Sequence, residues 1–490
     1  MADDITLGGA LAPIGFTAVV LGSPESPGYD VVLETLSAAR VKSVEDSAGA
    51  APDICVAVLT GSTLLGSTTI AEDLPRDRVE AIAAGMAERG AGRMVLVTDA
   101  GGGAHSGDVP AEAASRAADL AWWQQLAVRS AAGGVVANQI RVGLASFLTH
   151  EHSQARTGAV LQHLSLRRVA RPDDLECALL QLISTGCAYT VGETVPLDGG
   201  MTLNPIPPQR KPKPWTPPKE CETDPAERFD LTGRTALVIG ASSGIGAESA
   251  VELARRGADV VLVARRELEL REVAEYIAEI GGSARSMVAD MLVMDDAESF
   301  VASVGDVDLL VYAAGVFDLE GSSENVRARS MTVNFRAYAD ISDALVNKWR
   351  ETGVAGSIVG VCSVGSESVP VPHMESYGAS KAAMIQYTRC LAVSAGRNGI
   401  RVNCVAPGII ETPMSDWLPP EFRKAWAVRV PFGRAGTPAD VASLVTFLAS
   451  DASSYVTGSL LHVDGGYTLC GPPPLSEQGG SSDSEPAAQR

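Results

Sequence analysis

The sequence predicts an α/β protein with two doubly wound parallel sheets in tandem, the first of which lacks its second and third strands. Three observations lead to this. The chain is 46% hydrophobic and rich in Ala, Gly and Val, and its short apolar runs are typical of buried parallel strands. A glycine-rich loop joins a strand to a helix in the second half. Parts of the first half repeat the second half.

The chain of 490 residues is too long for a single ordinary core. Two low-complexity stretches divide it, one rich in Pro and Lys and the other rich in Pro, Gly and Ser. We therefore expect a first domain at residues 10–205, a linker at 206–228, a second domain at 229–470 and a disordered tail at 471–490.

Composition excludes several classes of protein. No apolar run reaches the roughly 18 residues that span a bilayer, and the first residues are acidic where a signal peptide is basic. Eight scattered cysteines without a CxxC pattern suggest neither a disulfide framework nor a metal site. A formal charge of -20 argues against a nucleic-acid partner. The chain is expected in the cytoplasm with reduced thiols and without a membrane partner.

The second domain opens with a strand, "TALVIG", that leads into a loop containing Gly240, Gly244 and Gly246. A helix and a second strand, "DVVLVARR", follow. Glycines allow the backbone to approach a ligand, and the helix start can hold a pyrophosphate. This order of elements predicts a dinucleotide site.

The end of the second strand indicates which dinucleotide binds. An acidic residue there would hold a ribose 2′-hydroxyl, but this sequence has Arg265 and Arg266. Guanidinium groups suit a 2′-phosphate, so NADP(H) is favoured over NAD. Two arginines can also simply solvate a strand end.

The candidate acid and base are Tyr377 and Lys381, which stand four residues apart in "SYGASKAA". One helical turn separates them, so both side chains lie on one helix face. An ammonium group so close favours the phenolate and would lower the tyrosine pKa. Any amphipathic helix can carry this spacing, so the pair needs support from other motifs.

Residues 230–468 resemble the short-chain dehydrogenase/reductase family in a series of ordered motifs. These are "IGASSGIG", "VAD", "DLLVYAAG", "MTVNF", "IVGVCS", "YGASK", "VAPGIIETPM" and "GSLLHVDGGYTL". The resemblance implies a Rossmann-like fold. It also implies a cofactor site formed by Gly240, Ser242, Ser243, Gly244, Ile245, Gly246, Arg265, Arg266, Asp290, Met291, Ala313, Ala314, Gly315, Tyr377, Lys381, Pro407, Gly408, Ile410 and Thr412.

The resemblance further implies the chemistry. Ser363 would hydrogen-bond a substrate carbonyl, and Tyr377 would protonate it as the nicotinamide hydride attacks the carbon. Lys381 would lower the tyrosine pKa and hold the nicotinamide ribose, while Asn334 would hold a water that returns the proton. No metal is required.

The sequence departs from the family pattern in three places. Ile239 stands where threonine is usual, and Tyr312 and Ala313 replace two asparagines. Ser363 precedes the tyrosine by fourteen residues rather than thirteen, which a one-residue bulge would reconcile. Ser366 is the alternative catalytic serine.

In the family, the segment after Thr412 covers the substrate. Here it carries apolar side chains at spacings that suit an amphipathic lid, with a hinge or start at two prolines. Such a lid would favour an apolar or aromatic substrate or an acyl chain, although the same side chains could simply pack on the rest of the second domain. The residues are Trp417, Leu418, Pro419, Pro420, Phe422 and Trp426.

The first domain resembles the same family more faintly and has lost the catalytic residues. "TAVVLGSPESPG" parallels "TALVIGASSGIG", and "AYTVGETVPLDGGMTL" parallels "SYVTGSLLHVDGGYTL" at equal length. In this alignment Glu112 replaces Tyr377, Arg116 replaces Lys381, Asp99 replaces Ser363, and the Asn334 position falls near Ile70. Asp99 and Glu112 could instead form a new acid/base pair.

The cofactor loop of the first domain is also altered. Pro24 and Pro27 enter it and Ser26 replaces a glycine, and a proline nitrogen cannot donate to phosphate. About 25 residues separate this loop from the next strand, against about 62 in the second domain. We expect no dinucleotide there.

The resemblance therefore predicts a cytoplasmic NADPH-dependent ketoreductase whose small-molecule carbonyl substrate could be carried by a protein. The first domain would serve as an internal partner in a pseudo-dimer, packed through the helix of Trp122 and Trp123, and two chains could form a homodimer. The alternatives are NADP-linked alcohol oxidation and a regulatory protein that binds NADP(H) without turnover.

Overall fold

The computed structural model describes most of both predicted domains, which are called the first and second bodies below. The described residues are 5–7, 10–12, 16–21, 28–39, 41–43, 52–59, 74–99, 110–143, 145, 161, 164–203, 224–317, 324–368, 374–416, 418 and 420–470. The predicted tail lies outside them, as does most of the predicted linker.

The first body is a parallel sheet with helices on both faces. Its helices are α1 (Tyr29–Ala38), α2 (Arg76–Arg89), α3 (Pro110–Ala131) and α4 (Pro172–Ile183), and its strands are β1 (Ile5–Leu7), β2 (Ala10–Ala12), β3 (Thr17–Leu21), β4 (Lys42–Ser43), β5 (Ile54–Leu59), β6 (Gly92–Asp99), β7 (Val135–Val142) and β8 (Thr194–Leu197). Strands β1 and β2 form an antiparallel hairpin. The described part of the sheet has the order β4-β3-β5-β6-β7-β8.

The second body repeats this plan with a longer sheet. Its strands are β9 (Thr235–Ile239), β10 (Asp259–Ala264), β11 (Ser283–Val288), β12 (Leu309–Tyr312), β13 (Ser357–Val361), β14 (Arg401–Pro407) and β15 (Leu460–Val463), and its helices are α5 (Gly244–Arg255), α6 (Glu267–Glu279), α7 (Ala297–Val304), α8 (Glu324–Met331), α9 (Ala337–Thr352), α10 (Glu375–Ala395), α11 (Pro420–Arg429) and α12 (Pro438–Ala449). The order is β11-β10-β9-β12-β13-β14-β15, all parallel.

The two sheets confirm the predicted fold class and correct one detail. Strand β3 pairs with β4 and β5 as β9 pairs with β10 and β12. The first sheet has no counterpart of β11 among its described strands, as predicted. Its second strand, however, is reduced rather than lost, because the two residues of β4 still pair with β3. The stretch between β3 and β5 is shorter than its counterpart in the second body, and its described part contains only α1 and β4.

Burial of the strands explains why the apolar runs form the sheets. Every residue of β13 is buried, as is every residue of β14, because helices cover both faces of a parallel sheet. One buried apolar cluster runs without interruption from the first body into the second and includes Ile183 of α4 and Leu444 of α12. The two bodies therefore share a core.

The bodies contact each other through corresponding elements. The Tyr189 hydroxyl donates to the Arg434 carbonyl at 2.9 Å, and the Tyr455 hydroxyl donates to the Arg168 carbonyl at 2.8 Å. Tyr189 and Tyr455 occupy the same position in the two repeats. The contact thus resembles an isologous dimer interface, in which the same patch serves both partners.

The helix expected to form this contact packs elsewhere. Trp123 of α3 is fully buried in the core of the first body and donates its indole N–H to the Asn138 carbonyl at 3.1 Å. The ring of Trp122 lies 5.3 Å from the guanidinium of Arg76. Both partners belong to the first body, whereas α4 and α12 meet directly, with the Gln181 amide donating to the Ser443 hydroxyl at 3.1 Å.

The linker also ends earlier than predicted. Pro225–Phe229 forms a 3₁₀ helix, and Arg228 within it is buried between the bodies. Its guanidinium contacts Asp173 at 2.6 Å and the Ser454 hydroxyl at 2.5 Å. This segment is therefore part of the interface.

No helix in the described part of the chain is long and apolar enough to cross a membrane.

Candidate functional site

A cleft of about 660 Å³ opens at the carboxyl ends of the strands of the second body. It lies where the order of the sheet reverses, between β9 and β12, which is where ligands bind in open α/β sheets. All of the predicted cofactor residues line this cleft, as do Ser363, Tyr377 and Lys381. Ser366 and Asn334 do not line it.

The glycine loop is shaped for close backbone approach. Gly240 has a φ of 91°, in the left-handed region, and a Cβ on it would lie 2.6 Å from the Ala314 nitrogen. A Cβ on Gly246 would lie 2.2 Å from the Gly240 carbonyl oxygen. Side chains at these two positions would therefore clash with backbone, and the loop leaves the first turn of α5 open to an anion.

The two predicted phosphate-binding arginines line the cleft beside the glycine loop. The Arg266 guanidinium donates to the hydroxyls of Ser242 and Ser243 at 2.9 and 2.6 Å. Arg265 lies 3.9 Å from the Asp290 carboxylate. Both side chains are about half exposed, so they can turn toward a ligand. Two guanidinium groups beside two serine hydroxyls suit a phosphate better than a neutral ribose hydroxyl.

Tyr312 explains one departure from the family pattern. It is fully buried, and its hydroxyl donates to the Val333 carbonyl at 2.5 Å. The bond joins the end of β12 to the single π-helical turn Thr332–Arg336, which carries Asn334. A hydrogen bond from tyrosine therefore connects these two elements at a position where the family has asparagine.

Tyr377 and Lys381 lie on one face of α10 and both reach the cleft. The Tyr377 ring packs edge-on against Phe317, with centroids 4.9 Å apart. Lys381 is buried, and its Nζ lies 5.9 Å from the centre of the tyrosine ring and donates to the Val361 carbonyl at 2.7 Å. Burial lowers the pKa of Lys381.

The predicted effect of Lys381 on the tyrosine is wrong for this structure. Burial raises the pKa of Tyr377 to about 12, and the Ser363 hydroxyl only partly opposes this. The lysine ammonium is directed at a backbone carbonyl rather than at the phenol oxygen. Loss of hydration therefore outweighs the lysine, and Tyr377 is protonated at neutral pH.

Ser363 occupies the position expected of the catalytic serine. It follows β13 and begins the 3₁₀ turn Val364–Ser366, where its Oγ accepts from the Gly365 amide at 3.0 Å. The Ser366 hydroxyl instead donates to the Ser363 carbonyl at 2.5 Å. The geometry thus favours Ser363 over Ser366. The one-residue bulge was expected in the loop between Ser363 and Tyr377, of which residues 369–373 lie outside the described residues.

Asn334 is fully buried behind the cleft. Its amide nitrogen donates to the Val316 carbonyl and to the Ser380 hydroxyl, each at 3.0 Å, and its oxygen accepts from the Val316 amide at 2.8 Å. A Cβ on Gly315 would lie 3.5 Å from Asn334 Oδ1 and 3.6 Å from Lys381 Nζ. The side chain therefore fixes the turn beside Lys381, and its two N–H groups are occupied by protein.

Two of the predicted lid residues line the cleft. Leu418 and Trp426 are buried there, and Trp426 stacks on Tyr467 with centroids 3.8 Å apart. The indole Nε1 of Trp426 is buried without a hydrogen-bond partner among the described residues. Trp417, Pro419 and the side chain of Phe422 lie outside the described residues, and Pro420 is the first residue of α11.

The first body places its replacements at corresponding positions. Glu112 is the third residue of α3 and Tyr377 is the third residue of α10. Asp99 is buried at the end of β6. The side chains of Glu112 and Arg116 lie outside the described residues, as do Ile70 and the loop with Pro24, Ser26 and Pro27.

Sequence reasoning missed several residues of the site. Phe317 and Met374 line the cleft beside Tyr377, and Phe317 follows the recognised "YAAG" motif by two residues. The short distance of Phe317 from the end of a recognised strand was the signal that could have placed it in the site. Nothing local marked Met374, which is the residue just before α10.

Comparison with known proteins identifies the family. Residues 78–202 and 240–468 match a family model described as "Enoyl-(Acyl carrier protein) reductase". A glucose 1-dehydrogenase of Gluconobacter oxydans is 37% identical over 256 residues, which are 50% of this chain and 95% of the relative. A 3-oxoacyl-[acyl-carrier-protein] reductase of Rickettsia bellii is 34% identical over 248 residues, 49% of this chain and 99% of the relative.

A solved structure is also similar, a gluconate 5-dehydrogenase from Burkholderia cenocepacia in complex with NADP and tartrate. It is 32% identical with a TM-score of 0.47, and the match covers 50% of this chain and 98% of that one. The fold and cleft are those of a dinucleotide-dependent oxidoreductase. Because the family model matches more than half of the chain, in both bodies, the chain belongs to the short-chain dehydrogenase/reductase family.

Proposed function

We propose that the second body reduces a ketone to an alcohol with NADPH. The observation that carries this proposal is the meeting of Ser363, Tyr377 and Lys381 in one cleft with the glycine loop and with Arg265. Groups that bind a carbonyl oxygen and a group that protonates it thus lie in the same cleft as the cofactor loop.

Each residue has a stated task in the proposed reaction. The Ser363 hydroxyl donates to the substrate carbonyl oxygen, and the Tyr377 hydroxyl protonates that oxygen as the carbon is reduced. NADPH supplies the hydride when it is bound. Lys381 holds the ribose of the nicotinamide and keeps positive charge beside the forming phenolate, and Asn334 supports the turn next to it.

The state of Tyr377 favours reduction over alcohol oxidation. With a pKa raised to about 12 by burial, the phenol carries at neutral pH the proton that reduction requires. Alcohol oxidation needs the phenolate, which burial disfavours. NADP-linked oxidation is therefore the second candidate, and the preferred direction can be read from initial rates measured both ways at pH 7.

The choice of NADPH rests on the arginines. Arg266 and Arg265 flank the place where a 2′-phosphate would lie, and they stand beside Ser242 and Ser243. The comparison of NADPH with NADH at equal concentration tests this directly. A preference for NADH would contradict it.

The substrate proposal is an apolar ketone or a β-ketoacyl chain. Part of the cleft lining is apolar and contains sulfur and aromatic side chains, which suit a flexible chain. These residues are Phe317, Val364, Met374, Met414, Leu418 and Trp426. Delivery by a carrier protein, as the name of the Rickettsia relative implies for that enzyme, is part of the proposal, as is a location in the cytoplasm.

The first body is proposed as a structural partner without its own catalysis, in an internal pseudo-dimer that pairs with a second chain. Light scattering of the full chain tests the homodimer. Expression of residues 226–490 tests the partner role, because this fragment lacks the first body and with it the helix α4 that packs against α12. A soluble, stable and fully active fragment would contradict that role.

The reaction itself is tested with a panel of β-ketoacyl thioesters, cyclic ketones and sugars, followed by NADPH absorbance. Consumption by a thioester or ketone, abolished in Tyr377→Phe, is the expected result. NADPH binding without turnover of any carbonyl compound, unchanged by Tyr377→Phe, would instead indicate a regulatory protein.

A further inference from the structure

A histidine of the second body lies between carboxylates from both bodies. His462 of β15 has its Nδ1 2.8 Å from Glu193 Oε2 and its Nε2 2.7 Å from Glu367 Oε2. The His462 backbone amide also donates to Glu193 Oε2 at 2.7 Å. Glu193 belongs to the first body and Glu367 to the second, so the three side chains form a continuous link across the interface.

The first-body end of this link is held firmly. The Glu193 amide donates to Asn138 Oδ1 at 2.9 Å, and its carbonyl accepts from the Gln139 amide at 2.8 Å. The other carboxylate oxygen, Oε1, accepts from the Thr194 amide at 2.8 Å. The glutamate is therefore anchored to β7 and β8, and its side chain is only 12% exposed.

The second-body end reaches the turn that carries the candidate catalytic serine. Glu367 follows the 3₁₀ turn that Ser363 begins, and its amide donates to the Val364 carbonyl at 3.1 Å. The Ser366 amide donates to the Ser363 carbonyl at 3.0 Å. The position of the Glu367 carboxylate is thus coupled to the position of Ser363 through one short hydrogen-bonded turn.

The charges favour a stable link. Burial lowers the pKa of His462, but the two carboxylates, with a contribution from Asp464, outweigh it and raise that pKa to about 11. The histidine in turn lowers the pKa of Glu367, as does Arg389 to a smaller extent. An imidazolium with both nitrogens donating satisfies two carboxylates at once. Exposure rises from 12% for Glu193 to 21% for His462 and 44% for Glu367, so the first-body end is the better shielded.

The link has no counterpart at the equivalent positions of the two repeats. The repeats align at equal length, and Glu193 corresponds to Ser459 while His462 corresponds to Pro196. A proline and a serine cannot form the equivalent pair. Other contacts at the interface are reciprocal, as Tyr189 and Tyr455 show. The asymmetric contact therefore connects the degenerate body to the active site of the other body.

We propose that Glu193, acting through His462 and Glu367, is a positioning residue that holds the Ser363 turn in its catalytic geometry. The first body is then a working part of the active site rather than only a packing partner. The inference rests on the proposed role of Ser363 in ketone reduction.

The test uses the full chain with Glu193→Ala, which cuts the link at its first-body end. We expect kcat for the ketone to fall by about tenfold while the Kd of NADPH changes less than about twofold, because the link touches the serine turn and not the glycine loop. Glu193→Gln, which keeps the shape and a hydrogen bond, should recover part of the loss. Tyr455→Phe is the matched control, since it removes another hydrogen bond between the bodies, and it should keep kcat.

Glu367→Ala cuts the link at its exposed end and guards against a folding defect in Glu193→Ala. The double variant Glu193→Ala/Glu367→Ala should lose no more than either single one, because residues of one link are not additive. Equal losses in Tyr455→Phe and Glu193→Ala, or additive losses in the double variant, would overturn the proposal.

Hydrogen exchange separates failure of this inference from failure of the proposed function. The amides of residues 363–368 should exchange faster in Glu193→Ala than in the wild type, whether or not a ketone is turned over. Unchanged exchange would refute the link in either case. Faster exchange in a chain that reduces no carbonyl compound would support the link and refute the reductase.

Discussion

Removal of Asp174 should destabilise the chain strongly, because it lies at the centre of the contact between the bodies. Its carboxylate is fully buried and accepts from Arg168 at 2.6 and 2.8 Å, from Arg228 at 3.4 Å and from the Ser454 hydroxyl at 2.7 Å. It also accepts from the Arg171 amide at 2.9 Å. Asp174→Ala would leave two guanidinium groups beside a buried gap.

The magnitude follows from this arrangement. Breaking a buried ion pair from one side costs about 3 to 5 kcal/mol, because an uncompensated charge remains. At a urea slope of about 3 kcal/mol per molar, the unfolding midpoint should fall by roughly 1 to 1.7 M. Tryptophan fluorescence follows the transition in both bodies, since Trp123 and Trp349 are buried.

Asp440→Ala is the matched control. Asp440 is the third residue of α12, as Asp174 is the third residue of α4, and it binds Arg434 at 2.8 Å. The Arg434 side chain is 39% exposed, so water can replace the lost partner and about 1 to 2 kcal/mol is expected. If Asp174→Ala lowers the midpoint no more than Asp440→Ala does, burial is not the source of the stability of this contact.

The same carboxylate should make the contact sensitive to acid. The two guanidinium groups hold the pKa of Asp174 well below its usual range. A lowered pKa means that the stabilisation is complete above the ordinary carboxyl pKa of about 4 and is lost as pH falls through the lower folded value. The difference in unfolding midpoint between wild type and Asp174→Ala should therefore stay constant from pH 7 to about pH 4 and narrow progressively as the pH falls below about 4.

Three further predictions concern the cleft. Arg266→Asp should raise the KM for NADPH by about 10- to 100-fold through loss of a charge-assisted contact and leave NADH nearly unaffected; a parallel rise for both cofactors would contradict a 2′-phosphate site. Tyr377 is an acid with a pKa of about 12, so reduction should show no alkaline loss centred below about pH 10 in a pH–rate profile of kcat/KM; a loss near pH 8 would show that Lys381 controls the phenol after all. Trp426→Phe removes a buried N–H without a partner among the described residues, so the melting temperature should stay level or rise; a fall in kcat/KM with it would show that the indole N–H binds substrate.

The local parts of the site could be predicted from sequence because they depend on spacing within one element. Tyr377 and Lys381 share a helical face through their four-residue separation, and the glycine loop is set by a strand that runs directly into α5. The reversal of the sheet between β9 and β12 brought these motifs to one cleft. The repeat likewise predicted two sheets, although it missed the two-residue strand β4.

The first error concerned the direction of the tyrosine pKa. A four-residue separation places Lys381 near Tyr377, but it does not give the hydration of the phenol or the direction of the ammonium. Those depend on the packing of Phe317 and on the Val361 carbonyl, which come from other elements. The second error concerned the interface, which is formed by α4 and α12 rather than by the helix of Trp122 and Trp123. A helix that is already packed on its own sheet has little surface left for the other body.

The sequence alone indicated which body carries the candidate catalytic residues, since Glu112 and Arg116 replace Tyr377 and Lys381 at matching positions of the repeat. Only the tertiary structure decided how the other body reaches them. Glu193 and His462 are 269 residues apart, and His462 and Glu367 are 95 apart. No local pattern encodes such a contact, because it forms only where the two sheets pack their last helices against each other.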